Sequence, residues 1–433
     1  MNLIFAVNEK IKGGGVSTEW IACRLRRPAR RADAMPQGRV CPADSLPPAG
    51  RARPPIMMRI IEISKKGFLW FIITSLFLYV LVTPLFAYGK IVTDRITSPS
   101  LVGNKLGDSA TRNITIYLPP EYDSSDERYS VIYLLHGYGG DERSYIDALG
   151  ERLAVSFLDS LINTRTMEPL IIVMPDAKNS YGGSFYTNSS LIGNYEDYIV
   201  YDLVNYIDSN YRTIACRDGR AIAGGSMGGY GAMKLAIKHS DLFCAVASLC
   251  APIDFEEMKK ILPKVIEENP DGMKGARPAS PDKPFTSFVY AMSAAFSPNL
   301  NNPPFFVDLP FEYPSGKIIE SVWKRWLKHD PATLLAAYKS DLMGMSGIYI
   351  DVGDKDELGL TPVVLAFHQL LRSFGISHRF ELFEGGHEDK IVERTTKMLS
   401  FLSNCLASPT TVTVVLSKEN LAFTWARLKV LGD

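Results

Sequence analysis

The sequence predicts an α/β fold, a mostly parallel sheet flanked by helices, on three observations. From Ile91 onward short apolar runs alternate with amphipathic stretches of helical period, the order that builds strand and helix layers around one core. Several of the runs, Leu170-Ile-Ile-Val-Met174 above all, are continuously apolar, as strands covered on both faces are. Third, Ala223-Gly-Gly-Ser226-Met-Gly-Gly229 falls between a short apolar run and a helical one, the strand, tight turn and helix that a Gly-x-Ser-x-Gly sequence needs if its serine is to stand exposed.

Taken in order, strands are expected at Ile114–Leu118, Val131–Leu135, Leu170–Met174, Ala221–Ala223, Ala245–Leu249, Ile348–Val352 and Arg379–Phe383. Helices are expected at Ser144–Leu161, Asp197–Asn210, Gly231–His239, Thr361–Phe374 and Glu388–Leu402. The alternation breaks between Asp254 and Leu342, where prolines crowd in from Pro263 to Pro314, so residues 254–342 read as an insertion within a domain that spans 90–406. Its rings, among them Phe288, Phe296, Phe305, Trp323 and Trp326, exceed what so broken a stretch can bury within itself. They either pin the insertion to the sheet domain, over the active site, or wall an acyl or aromatic pocket there.

The two ends read differently. Residues 1–56 carry Arg24, Arg26, Arg27, Arg30 and Arg31 among prolines and glycines with no helix or strand period, a disordered or mis-annotated extension ahead of a true start at Met57 or Met58. Residues 57–89 have the order of a secretory signal peptide: Lys65-Lys66, an uncharged apolar run from Phe68 to Val82, then Ala87-Tyr-Gly89. Cleavage near Gly89 would export the protein to the periplasm or medium; left uncleaved, residues 68–87 are long enough to anchor it in a membrane. No cysteine ends the apolar run, so nothing supports a lipoprotein. Residues 407–433 have no assigned role.

With 47 basic and 47 acidic residues the chain has zero formal net charge, which argues against a nucleic-acid partner. The exported portion keeps Cys216, Cys244, Cys250 and Cys405, in a compartment where disulfides persist. Cys244 and Cys250 would lie about 20 Å apart on an extended strand and cannot pair; Cys216 with Cys244 or Cys405 is left open beside buried, unpaired thiols. None has metal-ligand spacing.

A serine hydroxyl needs a base. Of six histidines, His239, His329 and His368 lie in or beside helices and His378 opens a strand, whereas His387 follows Gly385-Gly386 in a loop with room to turn toward Ser226. The third group must be a carboxylate that fixes the imidazole tautomer. Several acids compete in Ile350-Asp-Val-Gly-Asp-Lys-Asp-Glu357; Asp351 is still on the strand and Asp354 shapes the turn, whereas Asp356 sits farther into the loop with room to reach His387. Two N–H donors must stabilise the oxyanion, expected from Met227, which follows the serine, and from Tyr138 in His136-Gly-Tyr-Gly-Gly140. His136 reads as an organiser of that loop. Neither a metal nor an organic cofactor is required.

These pieces resemble the esterase D family of α/β-hydrolases, which includes feruloyl and acetyl xylan esterases, S-formylglutathione hydrolase and the mycolyltransferases. The resemblance covers Ile91 to Leu406 and is carried by Tyr133-Leu-Leu-His-Gly-Tyr-Gly-Gly140, Tyr195-Glu-Asp-Tyr198, Asp208-Ser-Asn-Tyr-Arg-Thr213, Gly225-Ser-Met-Gly-Gly-Tyr-Gly-Ala232, Gly353-Asp-Lys-Asp356 and Gly385-Gly-His387. It implies an exported carboxylic ester hydrolase working through Ser226, Asp356 and His387, with feruloyl or acetyl sugar esters as plausible substrates. S-formylglutathione hydrolases are cytosolic, against which the export signal counts. Mycolyltransferases usually carry an aspartate where this chain has His136. Acyl transfer to an alcohol, thioester hydrolysis, and an inactive fold serving as a surface binding protein stay open as alternatives.

Overall fold

The protein is described by a computed structural model over residues 88–273 and 278–408. The N-terminal extension, residues 57–87 of the expected signal and residues 409–433 lie outside the described residues.

Eight strands form one sheet: β1 (Lys90–Thr97), β2 (Thr111–Leu118), β3 (Ser130–Leu135), β4 (Leu170–Pro175), β5 (Arg220–Gly225), β6 (Ala245–Leu249), β7 (Gly347–Gly353) and β8 (Arg379–Phe383). Their order across the sheet is β1-β2-β4-β3-β5-β6-β7-β8. β1 with β2 and β2 with β4 run antiparallel, and every pairing from β4 to β8 is parallel. The continuously apolar strands feed two cores in alternation. Ile171 and Val173 of β4, and Val131, Tyr133 and Leu135 of β3, enter one; Leu170, Ile172 and Met174, with Ile132 and Leu134, enter the other.

Helices cover both faces. α1 (Glu151–Asn163) and α8 (Ile391–Ser403) pack on one face through Leu158, Leu161, Met398 and Leu402. α2 (Tyr195–Asn210, with π geometry over Tyr198–Leu203), α3 (Met227–Lys238) and α7 (Thr361–Ser373) cover the other. The insertion adds α4 (Pro284–Phe296), α5 (Glu320–Trp326) and α6 (Pro331–Ala337) to that second face.

The structure departs from the expectations at three points. β1 escapes the sequence pattern because Lys90, Asp94 and Arg95 interrupt its apolar residues and only Ile96 is buried, yet all eight of its residues pair with β2. The helix expected at Ser144–Leu161 is broken: a turn at Ser144–Asp147 gives way to Gly150 at φ 78°, a conformation suited to glycine, before α1 begins. The helix after the serine starts four residues earlier than expected, at Met227.

Several of the insertion's rings act as pins. Tyr230 of α3 stacks on Phe255 at 5.8 Å and meets Phe296 at 5.7 Å, and Phe296 meets Trp326 at 5.5 Å. Each such ring contributes about 1.5–3 kcal/mol of burial, which holds a proline-broken segment on the sheet domain. At the other end, the Gly89 N–H faces both oxygens of the buried Asp159 carboxylate at 3.1 Å, and a Cβ there would meet the Tyr117 ring at 2.6 Å. The packed domain thus takes in Gly89, one residue before the expected boundary.

All four cysteines among the described residues are free. Cys216 is exposed whereas Cys244 is buried with its thiol directed at the Asp218 and Cys405 carbonyls, so the bridges considered for Cys216 are not made. No helix among the described residues is long and apolar enough to cross a membrane.

Candidate active site

The C-terminal ends of β3, β5 and β6 meet at Ser226. β5 runs through Gly225, and Ser226 then adopts φ 56° and ψ −121°, immediately before α3. A non-glycine residue held there stores about 1–3 kcal/mol of backbone strain, so its surroundings must enforce it. They do so by close backbone approach: a Cβ on Gly224 would stand 2.7 Å from the Leu135 carbonyl oxygen, and one on Gly228 would stand 2.6 Å from the Leu135 carbonyl carbon. The Ser226 N–H donates to the Leu249 carbonyl at 2.8 Å. One step back, the Gly225 N–H donates to the Tyr145 hydroxyl at 3.0 Å, which itself donates to the Leu135 carbonyl at 3.1 Å.

The loop after β3 crosses directly over this turn, since a Cβ on Gly137 would lie 3.6 Å from that of Ser226. The Gly139 N–H donates to the Gly182 carbonyl at 2.9 Å and the Gly140 N–H to the Gly137 carbonyl at 3.1 Å. The Tyr138 amide, just before these two, has no acceptor among the described residues, while the Tyr138 hydroxyl donates to the Tyr181 carbonyl at 2.8 Å and its ring meets Phe288 of the insertion at 5.9 Å. Met227 is the first residue of α3, so its N–H is among those a helix leaves without an internal acceptor. His136 organises the loop: Nε2 accepts from the Ala177 N–H at 2.9 Å, which places the proton on Nδ1 for the Gly137 carbonyl at 2.8 Å. Burial holds its pKa below the ordinary value, so the ring stays neutral. Tyr186 donates to the His136 carbonyl at 2.8 Å, and the buried Lys234 ammonium to the Tyr186 carbonyl at 3.0 Å.

On the far side, His387 Nδ1 lies 2.7 Å from Asp356 Oδ2. The other Asp356 oxygen accepts from the Leu358 and Leu360 amides at 3.0 and 3.3 Å, and the residue is buried. A carboxylate only accepts, so the Nδ1 proton is fixed and Nε2 is left as an acceptor, with no partner among the described residues. The competing acids are engaged elsewhere: Asp351 pairs with Arg394, and Asp354 accepts from the Gly385 N–H at 2.9 Å. The other histidines lie away from this group. His239 pairs with Glu196 at 3.1 Å, His329 stacks on Phe296 at 5.1 Å, and His368 and His378 meet each other at 2.7 Å.

The Esterase family model, described as "Putative esterase", matches residues 107–391. The chain belongs to this family. An esterase of Mycobacterium tuberculosis is 38% identical over 145 residues, 32% of this chain and 29% of that protein. An endo-1,4-beta-xylanase/feruloyl esterase of Xylanibacter ruminicola is 30% identical over 168 residues, 36% of this chain and 22% of that protein. The matched stretch is thus under a third of either relative's length. A solved ferulic acid esterase superposes with a TM-score of 0.52 at 23% identity, covering 74% of this chain and all of the other, a likeness of fold.

Within this esterase-family chain, three supporting residues escaped the sequence reading, Tyr145, Tyr186 and Arg394, and Glu357 figures there only among the competing acids. Glu357 accepts the His387 backbone N–H at 2.9 Å. Arg394 did leave a trace, for it shares the buried stripe of α8 with Met398 and Leu402, at spacings of four, where an arginine is out of place unless paired. A cation could meet three donor atoms here, since those of Cys250, Asp356 and His387 lie within 4.8 Å of one another. It would have to displace the imidazole from Asp356 and sit beside the Arg394 guanidinium, 2.9 Å from the Cys250 sulfur; the surroundings suit the imidazole better than a cation.

Proposed function

We propose that the protein is an exported serine carboxylic ester hydrolase. The observation that carries this reading is the His387 imidazole on the buried Asp356 carboxylate at 2.7 Å, its Nε2 unpartnered among the described residues. Ser226 Oγ attacks the ester carbonyl carbon as its proton passes to His387 Nε2, and the Tyr138 and Met227 amides hold the oxyanion. The tetrahedral adduct collapses, the alkoxide leaves with the proton from His387, and an acyl ester remains on Ser226. Water, deprotonated by His387, then releases the acid and restores the serine.

Feruloyl or acetyl sugar esters are the proposed substrates. Support comes from the relative named as a xylanase and feruloyl esterase and from family membership over residues 107–391. The leader-like order of residues 57–89 supports export.

The test is hydrolysis of p-nitrophenyl acetate, butyrate and octanoate and of methyl ferulate by the purified protein beside Ser226→Ala. Turnover abolished by the substitution is the expected result, and preference among the esters ranks the acyl group. A folded wild-type protein that hydrolyses none of them would overturn the reading.

A further inference from the structure

We propose that Arg394 is a positioning residue for His387, fixing the loop that carries the imidazole against the ends of β6 and β7. The proposal rests on the triad reading above.

A guanidinium has five N–H donors in a rigid plane, and here all five are used. Nε and one Nη2 proton take the two oxygens of Asp351, each at 2.9 Å. The other Nη2 proton points at Cys250 Sγ, at 2.9 Å. Nη1 donates to the His387 carbonyl at 3.0 Å and to the Asp389 carbonyl at 3.3 Å. The side chain is 4% exposed, Asp351 is fully buried, and the guanidinium carbon lies 4.4 Å from the Phe383 ring centre.

The two sets of acceptors differ in kind. Asp351 belongs to β7, and Cys250 directly follows β6 and donates its own N–H to the Asp351 carbonyl at 2.9 Å. That side is part of the sheet. His387 and Asp389 belong to the connection between β8 and α8, which no ladder holds. Arg394 therefore joins the rigid framework to the backbone of the base itself. Neutralising Asp351 needs only Nε and one Nη2 proton, so the Nη1 contacts go beyond what a buried ion pair requires.

A residue that merely stabilises the core would be replaceable. Exchanging a buried ion pair for apolar side chains of similar volume is often neutral or stabilising, so Asp351→Leu with Arg394→Met should keep the fold while releasing the His387 carbonyl. A catalytic group displaced by an ångström costs on the order of 10²-fold in rate. The double variant is accordingly expected to lose kcat on p-nitrophenyl acetate on that scale, with KM nearly unchanged and Tm near wild type. Arg394→Lys, which keeps the charge but not the fork, should lose kcat to a lesser degree. Added guanidinium should restore part of the activity of Arg394→Ala and none of that of Ser226→Ala.

Wild-type kcat in the folded double variant overturns the positioning role. If the double variant does not fold, wild-type kcat in Arg394→Lys overturns it. Either result alongside an inactive Ser226→Ala leaves the serine esterase reading standing, whereas a wild-type protein without esterase activity brings down that reading and the positioning role together.

Discussion

The serine turn and the histidine loop sit on the same edge of the sheet and are held by opposite means. Around Ser226 the constraint is steric: glycines let the β5 to α3 turn approach the Leu135 backbone, and no side chain could be added at Gly224 or Gly228 without a clash. Around His387 the constraint is polar: Asp354, Glu357, Asp389 and Arg394 each hold a backbone group of the loop, and Asp356 holds the ring. A steric turn fails all at once when it is filled. A polar loop loosens in steps as single acceptors or donors are removed.

Gly228→Ala is expected to have the largest effect. The added methyl would enter the Leu135 and His136 backbone, which cannot move without opening the sheet, so loss of the folded state is expected, read as the absence of a cooperative thermal transition. A well-folded variant would show that the turn is not sterically set. Asp356→Asn comes next: the amide can donate to Nδ1, the ring loses its fixed tautomer, and kcat should fall by about 10⁴-fold with Tm little changed. Glu357→Ala removes only the acceptor for the His387 N–H. A net hydrogen bond is worth about 0.5–1.5 kcal/mol, so kcat should fall by no more than about tenfold; a loss as large as that of Asp356→Asn would mean the loop has no steps.

The insertion offers a control distant in mechanism. Burial beneath Phe296, reinforced by the Lys234 and Lys238 charges, pulls the His329 imidazole down to about 3 from 6.5. The unfolded chain takes up this proton as pH falls through 6.5 while the folded chain refuses it until about 3, so stability is lost as pH drops across that window. The neighbouring Asp330 carboxyl, raised by burial to about 6, contributes a slope of opposite sign, so denaturant melts from pH 7 to pH 4 should show the His329 slope as the difference between wild type and His329→Gln, with esterase activity at neutral pH preserved. An unchanged slope would remove His329 as its source.

The same contrast explains what the sequence discloses. Strands such as Leu170–Pro175 declare themselves because both faces are buried, and the turn at Ser226 does because close approach admits only glycine on either side. β1 and the break at Gly150 are hidden, the first by charges along an edge strand, the second by a single backbone angle. In the site, Asp356 is the acid of the 351–357 turn that reaches the imidazole. The supports are harder to read because their partners are remote in sequence: Tyr145 meets Gly225 eighty residues away, and Arg394 meets Cys250 at a separation of 144. Only an arginine on an apolar helix face hinted at the second.

The proposed mechanism requires a nucleophilic Ser226, and covalent trapping is the most direct test of it. The purified protein would be treated with a fluorophosphonate, digested and mapped by mass spectrometry. The prediction is a single phosphonylated site at Ser226, stoichiometric with loss of p-nitrophenyl ester hydrolysis, and no adduct in Ser226→Ala. Hydrolysis that survives full modification of Ser226, or an adduct that forms on another residue as activity is lost, would contradict it.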